Sequence, residues 1–304
     1  MLFGGNYEYV DHNNTRQIQR FLLSFLLLIS FHQSTDITSK FIFSLNSNGC
    51  ADLGNQMFKI ASLYGIGLHP NVNRTPGLNE PIYCLRQIHD IPNKYLVVNG
   101  GYFQRFRYFS HIMDEIRQLF DFHPKIKSEV EQYGTQLFKF DKFSYKMCIH
   151  IKEKNFIEDR LLQTKTEFLI PAIATVRNFI LQKYSKIHIS LVFFTDDEKF
   201  VNSFNFSKEY YSDFYRPKLT SRGAAMYFGV RYCDSLLISA GESSFASWIG
   251  LLMPTGKDIF YNRRGSNNVA EDVGEDHVDY ERYPKHWNSL ELIESNNTVV
   301  INNR

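Results

Sequence analysis

The chain has 304 residues, of which 43% are hydrophobic and 22% charged; this is an ordinary globular composition, long enough for two domains or one large one. The formal net charge of +2 excludes the strongly basic character by which many proteins bind nucleic acid. The four cysteines show no CxxC spacing, which gives no support for a zinc site or a thioredoxin-like motif and leaves their pairing open.

The N-terminal part contains one apolar segment. Residues 1–20 form a polar tail, residues 21–31 an apolar run that follows Arg16 and Arg20, and residues 32–40 a short stem. The run is shorter than the roughly 17–25 residues that span a bilayer as a helix, and its length is typical of a signal peptide. We predict a signal-anchor or signal peptide, with a buried helix of a soluble protein as the alternative. Three sequons agree with a lumenal chain: Asn73, Asn205 and Asn296.

The next part of the chain reads as a strand, a glycine-containing turn and a helix. Residues 41–45 predict the strand, and apolar residues at i, i+3 and i+4 spacing predict the helix over 55–68. The turn between them allows a ligand to approach the backbone. The remaining elements predicted for this part are a strand at 95–98 and helices at 112–120 and 124–137.

From residue 146 onwards strands alternate with helices. This alternation predicts a parallel sheet covered on both faces by helices. The predicted strands are 147–151, 187–194, 236–238 and, as the last strand, 258–261. The predicted helices are 168–184 and 222–232, a further helix that includes Phe245 and Leu252, and a helical turn at 200–204. An acidic stretch at 271–279 fits no calcium-binding loop, and we predict no metal site.

Polar residues follow several of these strands. In open parallel sheets ligands bind beyond the carboxyl ends of the strands, and His150, the 195–197 segment and the 241–244 turn all lie there. The turn precedes a helix, whose free N–H groups and dipole favour a phosphate. Each feature also has a structural interpretation: a serine helix cap for 243 and 244, an aspartate cap for 196 and 197, and a core position for His150.

Four motifs in order resemble the family 11 glycosyltransferases, the α-1,2-fucosyltransferases. They are Leu-Gly-Asn-Gln-Met-Phe at 53–58, Gly-Tyr-Phe-Gln at 101–104 with Tyr-Phe at 108–109, Phe-Thr-Asp-Asp at 194–197, and Ser-Ser-Phe-Ala-Ser-Trp-Ile-Gly at 243–250. The resemblance covers roughly residues 40–290. It implies an α/β, GT-B-like fold of two Rossmann-like halves facing across a cleft: an N-terminal half at 41–140 on the acceptor side and a C-terminal nucleotide-sugar-binding half at 141–295.

The resemblance also implies an activity and a place in the cell. L-fucose would pass from GDP-L-fucose to a terminal galactose of a glycan, with inversion and without a metal or other cofactor. The partners would be the nucleotide sugar, a glycan acceptor and, through the N-terminal segment, a membrane. A type II Golgi protein with a lumenal catalytic domain is the location that follows.

The site residues that we predict fall into three groups. Candidates for the catalytic base are His150, Asp52 and Glu242. Donor-binding candidates are Lys152, Thr195, Asp196, Asp197, Ser243, Ser244 and Phe245. Candidates for the cleft or acceptor side are Gly54, Asn55, Gln56, Tyr102 and Gln104. Trp248 is predicted to belong to the core, because it lies four residues before Leu252 on one helix face.

One motif departs from the family. Where its members have His-x-Arg-Arg-Gly-Asp, this chain has His150-Ile-Lys-Glu-Lys-Asn155, so that Lys152 and Glu153 stand in the places of the two arginines. Lysine lacks the two-pronged fork of arginine, and a glutamate repels a diphosphate. Lys154, Arg160 or Arg105 are candidate substitutes. This departure leaves open a catalytically weak relative that binds nucleotide or glycan without turnover. An unrelated Rossmann-like nucleotide enzyme is the other alternative to a fucosyltransferase.

Overall fold

The computed structural model describes nine stretches of the chain: residues 41–44, 53–68, 95–98, 104–152, 163–195, 197–204, 206–207, 209–263 and 282–302. The predicted N-terminal tail, apolar segment and stem and the acidic 271–279 stretch lie outside these residues. Within them, no helix has the length and apolar character needed to cross a membrane.

Two sheets are present in the described residues. The first is a parallel pair, β1 (Phe41–Ser44) and β2 (Tyr95–Val98), with helix α1 (Leu53–Leu68) between them in sequence. Two 3₁₀ turns, Phe106–Tyr108 and Ser110–Ile112, lead into helices α2 (Met113–Leu119) and α3 (Pro124–Leu137). Pro124 at the start of α3 lacks the N–H that a first helical turn leaves unpaired, which suits it to that position.

The second sheet has seven strands, all parallel except the last. In sequence order, its strands and the helices that connect them are β3 (Tyr145–His150), α4 (Thr166–Lys183), β4 (Ile189–Phe194), α5 (Glu198–Asn202), β5 (Phe214–Tyr215), α6 (Arg222–Tyr232), β6 (Ser235–Ile238), α7 (Ser244–Leu252), β7 (Asp258–Asn262), β8 (Asn288–Ile293) and β9 (Thr298–Asn302). In space the strands run β5-β4-β3-β6-β7-β8-β9.

Alternate residues of the strands fill two separate cores. On β3, Met147 and Ile149 face α4, whereas Cys148 packs with the helices of the opposite face. Those helices are α1, α3, α6 and α7, and their core is centred on the fully buried Trp248. The predicted α/β class and the parallel sheet covered on both faces are therefore confirmed, and the predicted core position of Trp248 is confirmed as well.

The sheet extends further than the sequence patterns predict. The 258–261 strand was predicted to be the last, which is wrong, because β8 and β9 continue the sheet beyond it as an antiparallel hairpin. Asn297 supplies the left-handed backbone of the hairpin turn, with φ of 51°. Thr175 of α4 donates a hydrogen bond of 2.8 Å to the carbonyl of Val299, so the edge strand β9 is fastened to the helix layer.

A disulfide links Cys148 on β3 to Cys233 at the end of α6, across 85 residues of sequence. Both half-cystines are buried. The disulfide therefore ties the central strand to a helix of the face that carries α7.

Candidate functional site

The chain reverses its direction of travel across the sheet at β3. From β3 it passes through α4 to β4 and β5 on one side, and it then returns to β6 and β7 on the other side. A crevice opens beyond the carboxyl ends of the strands at such a switch point, and this is where α/β proteins of this kind bind ligands. The segments that follow β3 and β6 therefore define the candidate site.

His150 ends β3 on the face that carries α7. It is buried, its ring centroid lies 5.9 Å from that of Phe245, and its Nδ1 has no hydrogen-bond partner among the described residues. Burial, assisted by the nearby charge of Lys152, lowers the pKa of His150 to about 3. The imidazole is therefore neutral at physiological pH, and so low a pKa argues against the predicted role as a general base.

A buried layer of hydroxyl groups supports the end of β3. Ser239 donates to the carbonyl of His150 at 2.6 Å, and Thr164 Oγ1 lies 2.7 Å from the Ser239 hydroxyl. Thr164 Oγ1 also accepts a hydrogen bond of 3.0 Å from the backbone N–H of Lys152. This chain of bonds fixes the backbone of the predicted donor-binding Lys152. The sequence patterns did not single out Thr164 or Ser239, since isolated hydroxyl residues carry no spacing signal.

The turn after β6 must pass very close to β7. A Cβ on Gly241 would lie 2.1 Å from the carbonyl oxygen of Asn262, so only glycine fits there. The side chain of Asn262 in turn donates a hydrogen bond of 3.1 Å to the Ser239 carbonyl. Gly241 and the Ser239 carbonyl are thus both in contact with Asn262 of β7, which fixes the turn that leads into α7.

The two serines at the N-terminus of α7, Ser243 and Ser244, make different contacts. Ser243 is the helix cap, and its hydroxyl accepts a hydrogen bond of 3.3 Å from the N–H of Ala246. The Ser244 hydroxyl is directed towards α1, where it would lie 2.7 Å from a Cβ placed on Gly54. The capping interpretation accounts for Ser243, and Ser244 is the better candidate for a ligand contact.

Thr195 and Asp197, at the end of β4, are engaged in local bonds. Asp197 caps α5 by accepting hydrogen bonds from the N–H groups of Lys199 at 2.8 Å and Phe200 at 3.1 Å. Thr195 Oγ1 accepts a bond of 2.9 Å from the Asp197 N–H. The capping interpretation therefore describes this pair, while their predicted contact with the donor stays a prediction.

The start of α1 packs against α7 at the same edge. Trp248 Nε1 donates a hydrogen bond of 3.0 Å to the Gly54 carbonyl, and Gln104 Nε2 donates one of 2.7 Å to Asn55 Oδ1. Gln56, next along α1, is exposed. Three of the four predicted motif segments, far apart in sequence, thus meet at one edge of the sheet.

Arg282 joins this group, although no sequence pattern marked it. Its Nη2 donates to Gln104 Oε1 at 3.0 Å and to the Glu242 carbonyl at 2.8 Å. Glu242 itself is half-buried beside the start of α7. The arginine thereby links the Gln104 segment to the turn between β6 and α7.

The other predicted site residues do not all fall within the described part of the chain. Asp52, Tyr102 and Asp196 lie outside it, as do Lys154 and Arg160 and the sequon residues Asn73 and Asn205. Asn296 is exposed in the β8–β9 turn, where Thr298 Oγ1 donates a hydrogen bond of 2.6 Å to its Oδ1. Among the described residues, no cluster of three His, Cys, Asp or Glu side chains is placed to bind a metal ion.

The arrangement is chemically suited to an anion. The start of α7 carries the positive end of a helix dipole. Lys152 follows the neighbouring strand β3, and Arg282 bonds to the turn before α7, so both add positive charge near it. The sheet order and the position of this site define a Rossmann-like α/β protein with a candidate ligand site at the switch point.

Comparison with known proteins finds proteins of similar sequence. It is 30% identical over 203 residues to a galactoside 2-α-L-fucosyltransferase of Caenorhabditis elegans, covering 65% of this chain and 54% of the relative, so that it spans about half of that protein. A putative galactoside 2-α-L-fucosyltransferase of the same organism, svh-11, is 23% identical over 323 residues, covering 87% of this chain and 83% of the relative. The chain is thus similar in sequence to galactoside 2-α-L-fucosyltransferases, which confirms the resemblance seen in the motifs. No family model matches the sequence.

Among solved structures, the fucosyltransferase NodZ from Bradyrhizobium is similar at 12% identity, with a TM-score of 0.37, over 71% of this chain and 59% of NodZ. A NodZ α-1,6-fucosyltransferase crystal soaked with GDP-fucose has the same TM-score, 11% identity, and coverage of 70% and 59%. Scores of this size are too low to bear on the geometry of the site.

Proposed function

We propose that the chain transfers L-fucose from GDP-L-fucose to a terminal galactose of a glycan, with inversion at the fucosyl carbon. The donor diphosphate would bind at the start of α7, where N–H groups, the Ser244 hydroxyl and nearby cations offset the charge that develops as GDP leaves. The acceptor would approach from the side of α1, near Asn55 and Gln104. The names of the galactoside 2-α-L-fucosyltransferase relatives support transfer of fucose to a galactoside.

One observation carries the proposal: motif segments more than a hundred residues apart converge at the switch point of the sheet. The bond from Trp248 to Gly54 spans 194 residues of sequence, and the bond from Arg282 to Gln104 spans 178. A polar chain from Asn55 through Gln104 to Arg282 then reaches the turn before α7. Such a network at the carboxyl edge supports a ligand site better than a purely structural role, which the apolar core alone would serve.

A second candidate is a relative that binds GDP or a glycan without turnover. His150 favours it, because the buried neutral imidazole packs against Phe245 and has no Nδ1 partner among the described residues. The replacement of the arginine pair by Lys152 and Glu153 favours it as well.

The test measures transfer and binding on the same preparation of the full chain, produced in a eukaryotic host. Labelled GDP-fucose is offered with a panel of terminal galactosides, and GDP binding is followed separately by calorimetry. Transfer with formation of a β-to-α inverted product supports the first candidate. GDP binding with no transfer to any galactoside supports the second, and the absence of both overturns the two together.

A variant of Ser244 tests the proposed contact of this residue with the donor. Ser244→Ala removes one hydroxyl from the start of α7 without changing the cap made by Ser243, so we expect transfer to fall by about tenfold, the typical effect of one lost hydrogen bond to a charged group. Ser203→Ala is the matched control, because this serine follows α5 and bonds only locally to the carbonyl of Phe200. Equal losses in the two variants would contradict the assignment of Ser244.

We also propose a lumenal location in the Golgi, held by the N-terminal apolar segment. The buried disulfide between Cys148 and Cys233 supports this, because disulfides persist in oxidising compartments. The exposed sequon at Asn296 offers a measurement. Glycosidase treatment of the expressed chain should increase its gel mobility, and Asn296→Gln should remove part of that change; a chain without glycans would count against the location.

A further inference from the structure

We propose that Arg282 binds the diphosphate of the nucleotide sugar and at the same time fixes the turn that precedes α7. The inference rests on the proposed function for the nature of the ligand, but the role of the residue follows from its own contacts. This arginine lies beyond the four segments that mark the site in the sequence.

Arg282 is placed by two hydrogen bonds from a single nitrogen. Nη2 donates to the Glu242 carbonyl, two residues before α7 begins, and to Gln104 Oε1, which belongs to the segment bonded to α1. The guanidinium also lies over the ring of Tyr283, 5.6 Å from its centroid. The charge is therefore held in one position, close to the first N–H groups of α7, without the loss of side-chain entropy that a mobile arginine would suffer on binding.

The electrostatics of this position favour an anion. The N-terminus of a helix carries partial positive charge, so a cation beside it is repelled unless a negative group lies between them or close by. Arginine has five N–H donors, of which the two on Nη2 make these bonds. Another donor, Nε, is buried and has no hydrogen-bond partner among the described residues. A phosphate oxygen would satisfy the unpaired donor and offset both positive charges.

Lys152 completes the charge distribution from the other side of the switch point. It follows the end of β3, which is the direct neighbour of β6 in the sheet, and the turn that Arg282 contacts follows β6. Lys152 therefore follows one of two neighbouring strands, and Arg282 contacts the turn that follows the other. A diphosphate carries two negative phosphate groups. It therefore suits a site with a cation on each side better than a ligand with a single carboxylate would.

The experiment uses calorimetry on the full chain with inorganic pyrophosphate and with GDP, followed by transfer assays. Arg282→Gln removes the positive charge. Arg282→Lys keeps the charge but lacks the paired N–H donors of the guanidinium group. We expect Arg282→Gln to weaken binding of both ligands by about tenfold to a hundredfold, and Arg282→Lys to restore part of the loss. Thermal unfolding of each variant separates a binding defect from a folding defect.

Arg117→Gln is the matched control. This arginine also has a buried Nε without a partner among the described residues, but it lines a cavity at the opposite end of α7, with Leu251 and Met253. Its replacement should leave pyrophosphate and GDP binding unchanged.

The outcomes distinguish this inference from the proposed function. Loss of pyrophosphate binding in Arg282→Gln with an unchanged melting temperature, and partial recovery in Arg282→Lys, supports the inference even if no fucose is transferred. Wild-type binding of both ligands and unaltered binding in Arg282→Gln overturns it while the fucosyltransferase proposal stands. A wild-type chain that binds neither ligand overturns both. Equal weakening of ligand binding by Arg117→Gln and Arg282→Gln would also overturn the inference, because the loss of binding would then come from the change in net charge.

Discussion

His150 is a polar residue whose surroundings are those of a core residue. It ends the central strand, and burial together with Lys152 lowers its pKa to about 3. The unfolded chain has an ordinary histidine pKa near 6.5, so between about pH 6.5 and 3 the unfolded state binds a proton that the folded state does not. Stability must therefore fall as the pH is lowered through this range.

We predict the size of this effect from a comparison with His150→Leu, which cannot titrate. Between pH 7 and pH 5 the wild type should lose about 2 kcal/mol more of its free energy of unfolding than the variant does, because one proton is gained per unfolding event. Urea unfolding at the two pH values measures the difference, and other titrating groups, such as Asp141, cancel in it. The same pH dependence in both proteins would show that His150 titrates alike in the folded and unfolded states.

The contact between α1 and α7 is the element on which the site depends. Trp248 lies at its centre, with ring centroids of Phe58 and Phe120 each 5.0 Å away and Phe109 stacked at 5.6 Å. Aromatic pairs of this kind contribute about 0.5–1.5 kcal/mol each beyond the area they bury. Gly54 allows the helices to approach closely, because a Cβ there would lie 2.7 Å from the backbone nitrogen of Phe245.

Gly54→Ala should therefore separate the two helices. We expect the free energy of unfolding to fall by about 1–3 kcal/mol, the usual cost of inserting an atom into a packed interface, although alanine is the better helix former. Gly223→Ala in α6 is the control, because its Cβ would meet Ile126 at an ordinary 3.5 Å. That variant should be unchanged or slightly more stable. Denaturant unfolding compares them, and equal stability of the two variants would contradict the close contact.

The strength of the sequence patterns explains which elements could be predicted. Strands β3, β4 and β6 are apolar runs between turns, and helix α3 starts at a proline, so their positions were predicted to within about two residues. Strand β5 has two residues, too few for any pattern, and β8 alternates weakly after the acidic stretch. Within the site, Ser244 carried a motif signal, whereas Arg282 and Thr164 are isolated residues that only the tertiary fold brings to the switch point.

At the scale of the whole molecule, the two cores are joined through β3. This strand contributes alternate residues to both, and its hydrogen-bonded neighbours are β4 and β6 on either side. Its amino end is also fixed by a buried charge network, in which Lys146 Nζ lies 3.5 Å from Asp141 and Lys146 N–H donates to Asp234 at 2.9 Å. The candidate site at the carboxyl end of β3 is therefore built on a strand that is paired on both sides and fixed at its amino end.

The disulfide from Cys148 to Cys233 adds a covalent constraint to the same strand. It closes a loop of 85 residues that contains α4, β4, α5, β5 and α6, so it restricts the unfolded chain strongly. We predict that Cys148→Ala/Cys233→Ala lowers the free energy of unfolding by about 2–5 kcal/mol, the range for native disulfides. Reduction of the wild-type chain is the control: it should give a similar loss without any change of sequence. Denaturant unfolding measures both, and thiol titration of the unfolded, unreduced wild type should find these two cysteines unreactive. If they react, the link between β3 and α6 is absent and the stability of the central strand must rest on packing alone.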